Sequence, residues 1–579
     1  MSMLSIGTTA LIANQGALAT TSHNISNVNT EGYSRQRAEF GTHPPEFQGT
    51  HYLGTGVEIT SVERMFDQFL STQVRQYTSQ EQQSAVFNEV STRVDELLAL
   101  PELSISVGLD DFFNAVQDVA DDPTSLAARQ VMLSQADILT KRFHTMDQQI
   151  GGLSSQVNSG LEISVQDVNV LSKGIATLNQ SIFDASFGNT IPPNDLLDQR
   201  DQLINDLSKL VSVSTLKQDD GAINVFIGNG QALVVGNAAI ELSTVPNPTD
   251  TTKLEIAYGP SQTIISNQIT GGSLGGLISV RSSVLATTQQ ELDTLAASFV
   301  ESINAQHKVG ITLDGNAGGD FFTVPTPPTT INANNISLAI TNPRDIAAAF
   351  PVTNTTSVSN TGTGQLETIA IDGSAPLFDP INTLTTDISF SYDSVTGVYN
   401  VTYDGGTATI VYDPATDSGK TYDLSALAAP PHTDFTNGKP PLTITLSGVP
   451  ANTDSFTITN SVVGGIFTAV GDNRNALALA ELQTSKTMDP NGTGTNTQSF
   501  GQSYEILVAD VATKTHASEI GQQVQQGLLD QANLRYESVS GVNLDEEAAN
   551  LIRYQQAYQA AAQIITVSNT VFNSLLNAF

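Results

Sequence analysis

The chain contains no cysteine and no tryptophan. Without thiols there is no disulfide, no thiolate nucleophile and no zinc–thiolate cluster. Basic residues are scarce as well, 23 Lys and Arg against 58 Asp and Glu, for a formal net charge of −35. Phosphate binding needs clustered Lys and Arg, so no nucleic-acid partner is expected. Acidity of this size instead keeps copies soluble and mutually repelling. No stretch approaches the roughly 18 apolar residues of a membrane span, so no membrane insertion is expected. A secretory signal peptide needs a positive start followed by an apolar core. Here the first basic residue is Arg35, so that route is not written.

Catalytic patterns are missing too. The histidines are His23, His43, His51, His144, His307, His432 and His516, and none forms an HxxxH metal spacing. No GxSxG, Walker loop or strand-to-helix GxGxxG appears. In "LDGNAGGDFF", Asp314, Asn316 and Asp320 match part of a calcium loop, but Pro325 stands where its Glu belongs, which favours a Gly-rich structural turn. "DLLDQRDQLINDL" raises the question of paired catalytic carboxylates. Leu196, Leu203 and Leu207 fall at helical spacing, however, and predict a solvated helix carrying Asp198, Arg200 and Asp201. No enzyme activity, catalytic residue, cofactor or metal ligand is expected.

What is present is a long chain with patterned, uncharged ends. Its 579 residues imply roughly three or four domains. Neither Met1–Thr30 nor Tyr554–Phe579 holds an Asp, Glu, Lys or Arg. At the C-terminus Leu551, Tyr554, Tyr558, Ala561, Ile565, Ser568, Phe572, Leu575 and Phe579 alternate three and four apart, a coiled-coil period. Ala557, Ile564, Val571 and Ala578 add a parallel row. Asn543 marks the start, with Asp545, Glu546 and Glu547 in the first turn, where acids suit the helix dipole. At the N-terminus Leu4, Leu11, Leu18 and Ile25 recur every seven, beside a row of Ile6, Ala10, Ala13 and Ala17 that allows close approach by another helix. Gly7 and Gly16 cost about 1 kcal/mol each, and Thr8, Thr9, Asn14, Thr20, Thr21 and Ser22 about 0.5 each. With that burden both ends are expected to be poorly ordered alone and helical when packed together. After the N-terminal pattern come the amides Asn24, Asn27 and Asn29, then Gly32 and Tyr33. Gly32 is expected to stop the helix, Tyr33 to anchor the departing chain, and the amides to meet the last carbonyls and neighbouring subunits.

Between the ends, Phe87, Val90, Val94 and Leu97 form one helical seam, and Met132 through Ile182 a longer one that Gly151, Gly152 and Gly160 could divide. Asp122-Pro123 is the expected start of the latter, Asp as cap and Pro at the first position. From Val211 the period changes to two, with a turn at Gly228-Asn229-Gly230. Helical spacing returns at Leu285. A second β-rich stretch, dense in Thr, Asn, Gly and Pro, runs from Gly319 to Gly471 and includes a hairpin around Asp404-Gly405-Gly406. Helical patterning resumes near Asn473. The expected fold is multidomain, α plus β: an elongated helical bundle with coiled-coil-like N- and C-terminal helices and two inserted β-rich domains. The expected domains are a terminal helical assembly domain (1–60 and 540–579), a helical rod domain (61–210, 272–318 and 472–539), a β-rich domain (211–271) and an outer variable β-rich domain (319–471).

"ISNVNTEGYSRQ" resembles the N-terminal motif of the bacterial flagellar rod, hook and hook-associated proteins, and "SGVNLDEEAANLIRYQQAYQAAAQII" their C-terminal motif. "NDLLDQRDQLINDLSKLV", "GGSLGGLISVRSSVL" and "INAQHKVGITLDGNAGGDFF" are together similar to the members at the hook–filament junction. The resemblance covers most of 1–318 and about 471–579. It implies a structural subunit, exported unfolded through the flagellar type III apparatus, that self-assembles through terminal helices lining an inner tube at the distal end of the hook. Implied partners are further copies of itself, the hook protein, the second hook-associated junction protein and a cytoplasmic export chaperone at the C-terminal helix. The implied location is the extracellular flagellum. The assembly interface is assigned to Leu4, Leu11, Leu18, Asn24, Ile25, Asn27, Asn29, Gly32, Tyr33, Leu551, Tyr554, Tyr558, Ala561, Ile565, Phe572 and Leu575. A hook or rod subunit, or an adhesin or enzyme built on the outer β domain, stands as the alternative.

Overall fold

In the computed structural model the described residues are 3–49, 51–186, 192–326, 330–371, 387–403, 406–427, 442–463, 466–489 and 495–577. Ten α-helices occur among them: α1 Met3–Ser26, α2 Gln68–Ala99, α3 Ile105–Asp121, α4 Leu126–Ser186, α5 Asn194–Leu210, α6 Gly272–Val280, α7 Ala286–Val309, α8 Arg474–Glu481, α9 Phe500–Ser540 and α10 Leu544–Leu576. Side-chain caps fix several starts. Asp67 Oδ1 accepts from the Phe69 and Leu70 amides ahead of α2, Ser125 Oγ from the Ala128 amide at α4, and Asn543 Oδ1 from the Asp545 and Glu546 amides at α10. The cap of α4 is therefore Ser125 and not Asp122, whose carboxylate closes a local turn on Thr124 instead. None of the helices is long and apolar enough to cross a membrane.

Contacts divide the chain into two compact units. The first comprises Met1–Arg93, Leu153–Leu285 and Thr513–Phe579. It holds α1, α5, α6 and α10, with parts of α2, α4 and α9. The stretch 36–64, divided above at residue 60 between the terminal helical domain and the helical rod domain, instead forms two antiparallel pairs, Gln36–Thr42 with Val57–Arg64 and Glu46–Gln48 with His51–Leu53. Residues 213–239 build a four-stranded meander and 242–264 a three-stranded one. The expected turn is there, with Gly228 and Gly230 both at positive φ. α4 is unbroken over 61 residues despite its glycines. Each costs only about 1 kcal/mol, and Gly160 brings the helix close to Leu277, whose Cδ1 would lie 3.2 Å from an added Cβ.

The second unit comprises Val94–Gly152 and Ala286–Ala512. Its helical part packs Phe112, Phe113, Phe299, Phe321, Phe322 and Phe500, all buried, in mostly edge-to-face pairs. Its β part is a five-stranded antiparallel sheet in the order 352–356, 455–460, 388–393, 398–403, 406–411, and a three-stranded one in the order 365–371, 442–447, 420–423. The strict alternation of "LTITLS" and "VYNVTY" puts Ile444, Leu446, Tyr399 and Val401 inside. Strands 398–403 and 406–411 form the expected hairpin, while Asp404 and Gly405 of its turn lie outside the described residues. The late helical pattern is interrupted, because α8 ends at Glu481 and α9 begins at Phe500. Asp314 and Asp320 of the calcium-like loop are taken by Arg344 and Lys308, consistent with a structural turn.

His307 shows how firmly this unit is tied. It is fully buried; its Nδ1–H donates to Gly319 O (2.8 Å) and its Nε2 accepts from the Ala347 amide (2.9 Å). An amide can only donate, so Nε2 must be unprotonated and the ring neutral. Burial is the main reason its pKa falls from the ordinary 6.5 to about 4. Below pH 6.5 the unfolded chain binds a proton that the folded one refuses. Stability is therefore expected to be fully present above pH 6.5 and to fall by about 3 kcal/mol as pH drops to about 4. Urea unfolding across that window checks this, and a slope unchanged in His307→Phe would contradict it.

Candidate assembly site

α1 presents two faces with different fates. Gly7, Ala13, Ala17, Thr21 and Asn24 face inward and are buried, with Ile6 and Ala10 of the small row half-buried beside them. A Cβ added at Gly7 would lie 2.9 Å from Ile565 Cγ1 and 3.5 Å from Ala561 O, so α10 runs against the small row at close range. Gly16 meets Ile59 of the strand 57–64 at 2.5 Å on the same measure. Of the heptad row beside it, Leu11, Leu18 and Ile25 are half-buried and Leu4 is exposed. Small residues win the interior because they let two backbones approach, which leucines prevent. On α10, Ala561 is buried and Leu551, Tyr554, Tyr558 and Ile565 are half-buried, with the Tyr554 ring 5.9 Å from Phe40. Phe572 is exposed, and so are Ile552, Val567 and Val571. The Leu575 side chain, Ala578 and Phe579 lie outside the described residues.

At the far end of α1 the amide cluster resolves into separate roles. Asn24 is 1% exposed and uses its whole hydrogen-bonding capacity. Its Nδ2 donates to Gln36 O (2.8 Å) and Glu547 Oε2 (3.1 Å), while its Oδ1 accepts from the Gln36 amide (2.9 Å) and the Tyr33 hydroxyl (2.8 Å). Its partners are therefore within the chain and not on neighbouring subunits. Asn27 is the helix cap: its Nδ2 donates to His23 O (3.0 Å), and its Oδ1 accepts from the Thr30 hydroxyl. Asn29 is exposed. α1 stops at Ser26, six residues before Gly32, so Gly32 shapes the turn that follows and not the helix end itself. Its φ of +78° suits glycine, and a Cβ there would strike the Gln202 side chain at 2.5 Å. Tyr33 does anchor the departing chain, through Asn24 and His23. Burial first, then the nearby carboxylates of Asp195, Asp198 and Glu547, push its hydroxyl well above the ordinary tyrosine range.

Two ion-pair groups, one part-buried and one buried, complete the site, and the sequence pattern did not reveal either. Arg35 donates from Nε to Glu547 Oε1 (2.8 Å) and reaches Glu546 (2.8 Å), and its amide donates to Ser540 O (2.9 Å). Glu547, 2% exposed, thus links α10 to both Asn24 and Arg35. Arg64 binds Asp198 and Asp201 together, and Asp198 Oδ2 also accepts from the Ser34 amide (3.1 Å). The helix expected to be solvated, α5, therefore has Asp198, Arg200 and Asp201 buried. Arg200 reaches Asn179 Oδ1 and Gly221 O. Desolvation raises the Asp198 pKa despite the Ser34 bond and the Arg64 charge. Alongside lies a cleft of about 510 Å³ bordered by His23, Gly32, Tyr33, Asp195 and Gln202. The chemistry of the site is positional: it locks the end of α1, the first hairpin, α5 and the start of α10 into one register.

Comparison with known proteins extends this reading over the whole chain. Residues 4–33 match the family described as flagella basal body rod protein, and 535–578 the flagellar basal body rod FlgEFG protein C-terminal family. Residues 91–322 match the flagellar hook-associated protein FlgK helical domain. Flagellar hook-associated protein 1 of Salmonella typhimurium is 33% identical over 590 residues, covering 100% of this chain and 99% of the relative. That of Escherichia coli is 30% identical over 600 residues, with the same coverage. The chain belongs to the flagellar hook-associated protein 1 family. A solved structure of the flagellar hook junction protein FlgK from Burkholderia pseudomallei is similar at a TM-score of 0.70 and 25% identity, covering 81% of this chain and 100% of that one. In this chain Asn24, inside the first rod-family segment, and Arg35, just beyond it, both bind Glu547 of the second.

Proposed function

We propose that this hook-associated protein 1 family member is a structural subunit of the flagellar hook–filament junction, and that α1 and α10 form its assembly element. The observation that carries the second part is the division of apolar residues on that pair. The small row is consumed inside the chain, while Leu4, Ile12, Ile552, Val567, Val571 and Phe572 remain exposed on helices without charge over most of their length. Ordinary surface helices place Lys and Glu on the wet face. A neutral, apolar outer face fits a setting where it too meets protein.

Leu4, Ile25 and Phe572 of the assigned interface are then contacts to neighbouring subunits, whereas Asn24, Gly32, Tyr33 and Ala561 act by holding the pair in register. Further copies of the chain, the hook protein and the second junction protein are the proposed partners, with an export chaperone on α10 before assembly. Type III export to the extracellular flagellum is proposed with them. The chain has no catalytic role in this reading. The four-part domain division is retained as a proposal, with the terminal assembly domain extended from residue 60 to 64 so that it holds the whole β stretch 36–64.

Deleting Thr566–Phe579 is expected to leave a folded, soluble monomer with an unchanged unfolding midpoint for the second unit, yet to abolish filament growth in a strain lacking the wild-type subunit. Filaments at normal number in that strain would refute the assembly role of α10.

A further inference from the structure

In the second unit, the segment 346–349 leads from the helical part into the strand 352–356 of the β part. Three helices hold it. Arg129 of α4 donates to Ile346 O (2.6 Å). Asn475 of α8 donates from Nδ2 to Ala347 O (2.5 Å), and the Ala476 amide to Ala348 O (3.0 Å). From α7 comes His307, whose Nε2 accepts from the Ala347 amide (2.9 Å). Just beyond α7, the Ile311 amide donates to Ala349 O (2.8 Å). Every residue of the segment is buried, so no bond it loses in place is replaced by bulk water. Val309 and Phe350, which flank these contacts, share one buried cluster with Phe390 and Ile444 of the two sheets. The segment is thus a fastening between the two parts of this unit.

Of the three side chains that hold it, only His307 can change its bonding in mild acid. Arg129 stays a donor and Asn475 has no proton to gain. A proton at Nε2 turns the His307 acceptor into a donor, facing an amide that can only donate. The bond from Nδ1–H to Gly319 O survives that change, so the contact to Ala347 is the one lost. Two charged groups act on the ring. Arg129 from α4 opposes a second cation, and Asp320 from the turn after α7 favours one but is already paired with Lys308 of α7 (2.6 Å). Arg344, just ahead of the segment, is taken by Asp314, and Arg474 of α8 by Asp472. A small adjustment cannot relieve the clash of donors. Gly318 is packed so tightly that an added Cβ would lie 2.0 Å from His307 O and 2.8 Å from Ala347 Cβ. Close-packed contacts of this kind are either made or broken.

We infer that His307 is an acid-operated latch: a proton on its Nε2 releases the segment 346–349 from α7 and frees the β part of the second unit to move on its helical part. The event is local. It leaves the sheets and the phenylalanine cluster folded, and so differs from the loss of global stability that the same histidine causes. It does not depend on the role of the chain at the junction. The size of the effect follows from linkage. Once the latch is open the ring meets water and binds a proton at the ordinary 6.5, whereas in the closed state it does so only at about 4. The open fraction is therefore expected to rise about twentyfold between pH 7 and pH 5.

Hydrogen exchange on the full-length chain at pH 7 and pH 5, corrected for the intrinsic pH dependence of exchange, reads the latch directly. The amides of Ile311, Ala347 and Ala349 are expected to open at least tenfold more at pH 5, while those of the strands 388–393 and 455–460 stay unchanged. His307→Gln offers the Ala347 amide a neutral acceptor that does not titrate, and is expected to remove the pH dependence at these three amides. A smaller gain in the wild type would overturn the latch whether or not the variant folds. So would an equal gain in the strands, which would mean that the whole unit unfolds. A gain of the same size in His307→Gln would assign the effect to another group and overturn it as well.

Discussion

Arg64→Ala is expected to destabilise the first unit by about 3–5 kcal/mol, because it leaves two buried carboxylates without their cation. Asp198 and Asp201 share the Arg64 guanidinium, and all three side chains are close to 10% exposed. Asp198 is already held above the ordinary carboxylate range by burial, even with Arg64 in place. Without the guanidinium its pKa rises further, so protonation relieves the buried charge. The deficit of the variant is therefore expected to shrink as pH falls from 8 to 5, opposite in sign to the His307 effect on the second unit. Thermal unfolding of wild type and variant at the two pH values measures this. A deficit independent of pH, or below 1 kcal/mol, would show that the pair is solvated and that the helix α5 behaves as its sequence suggested.

Asn24→Ala has the second large effect expected, about 3–4 kcal/mol. It removes four hydrogen bonds and strands the Gln36 backbone groups and one oxygen of Glu547, each a buried polar group that costs about 1–3 kcal/mol when unpaired. Part of the loss is recovered by water entering the cleft beside Tyr33. Asn24→Asp separates hydrogen bonding from shape: it keeps the acceptor but puts a second carboxylate against Glu547, and is expected to be at least as damaging at pH 7. Hydrogen exchange along α1 and the first turn of α10 reads the result. If α10 stays protected in Asn24→Ala, the lock does not couple the two segments and their register comes from the small-residue stripe alone.

Much of this protein was legible in its sequence, and for identifiable reasons. Period and capping residues are local. Asn543 with three acids behind it marked the start of α10, and alternation in "LTITLS" and "VYNVTY" placed strands and their inner faces. Other features misled because they depend on what lies opposite. Glycines in α4 looked like breaks, but a helix held over 61 residues by its buried seam absorbs their cost. The acid-rich run of α5 looked solvated, but Asp198 and Asp201 are buried against Arg64.

By itself the sequence determined the alternation of helical and β-rich segments, the uncharged ends, the absence of thiol chemistry and the flagellar motifs. These follow from composition and from spacing along one chain. Only the tertiary structure decided that Asn24 faces Glu547, that Arg64 gathers Asp198 and Asp201, and that 36–64 is a β element. Those pairs are separated by 523, 134 and 137 residues. A charge in a sequence carries no sign of its burial, because burial depends on which distant segment folds over it.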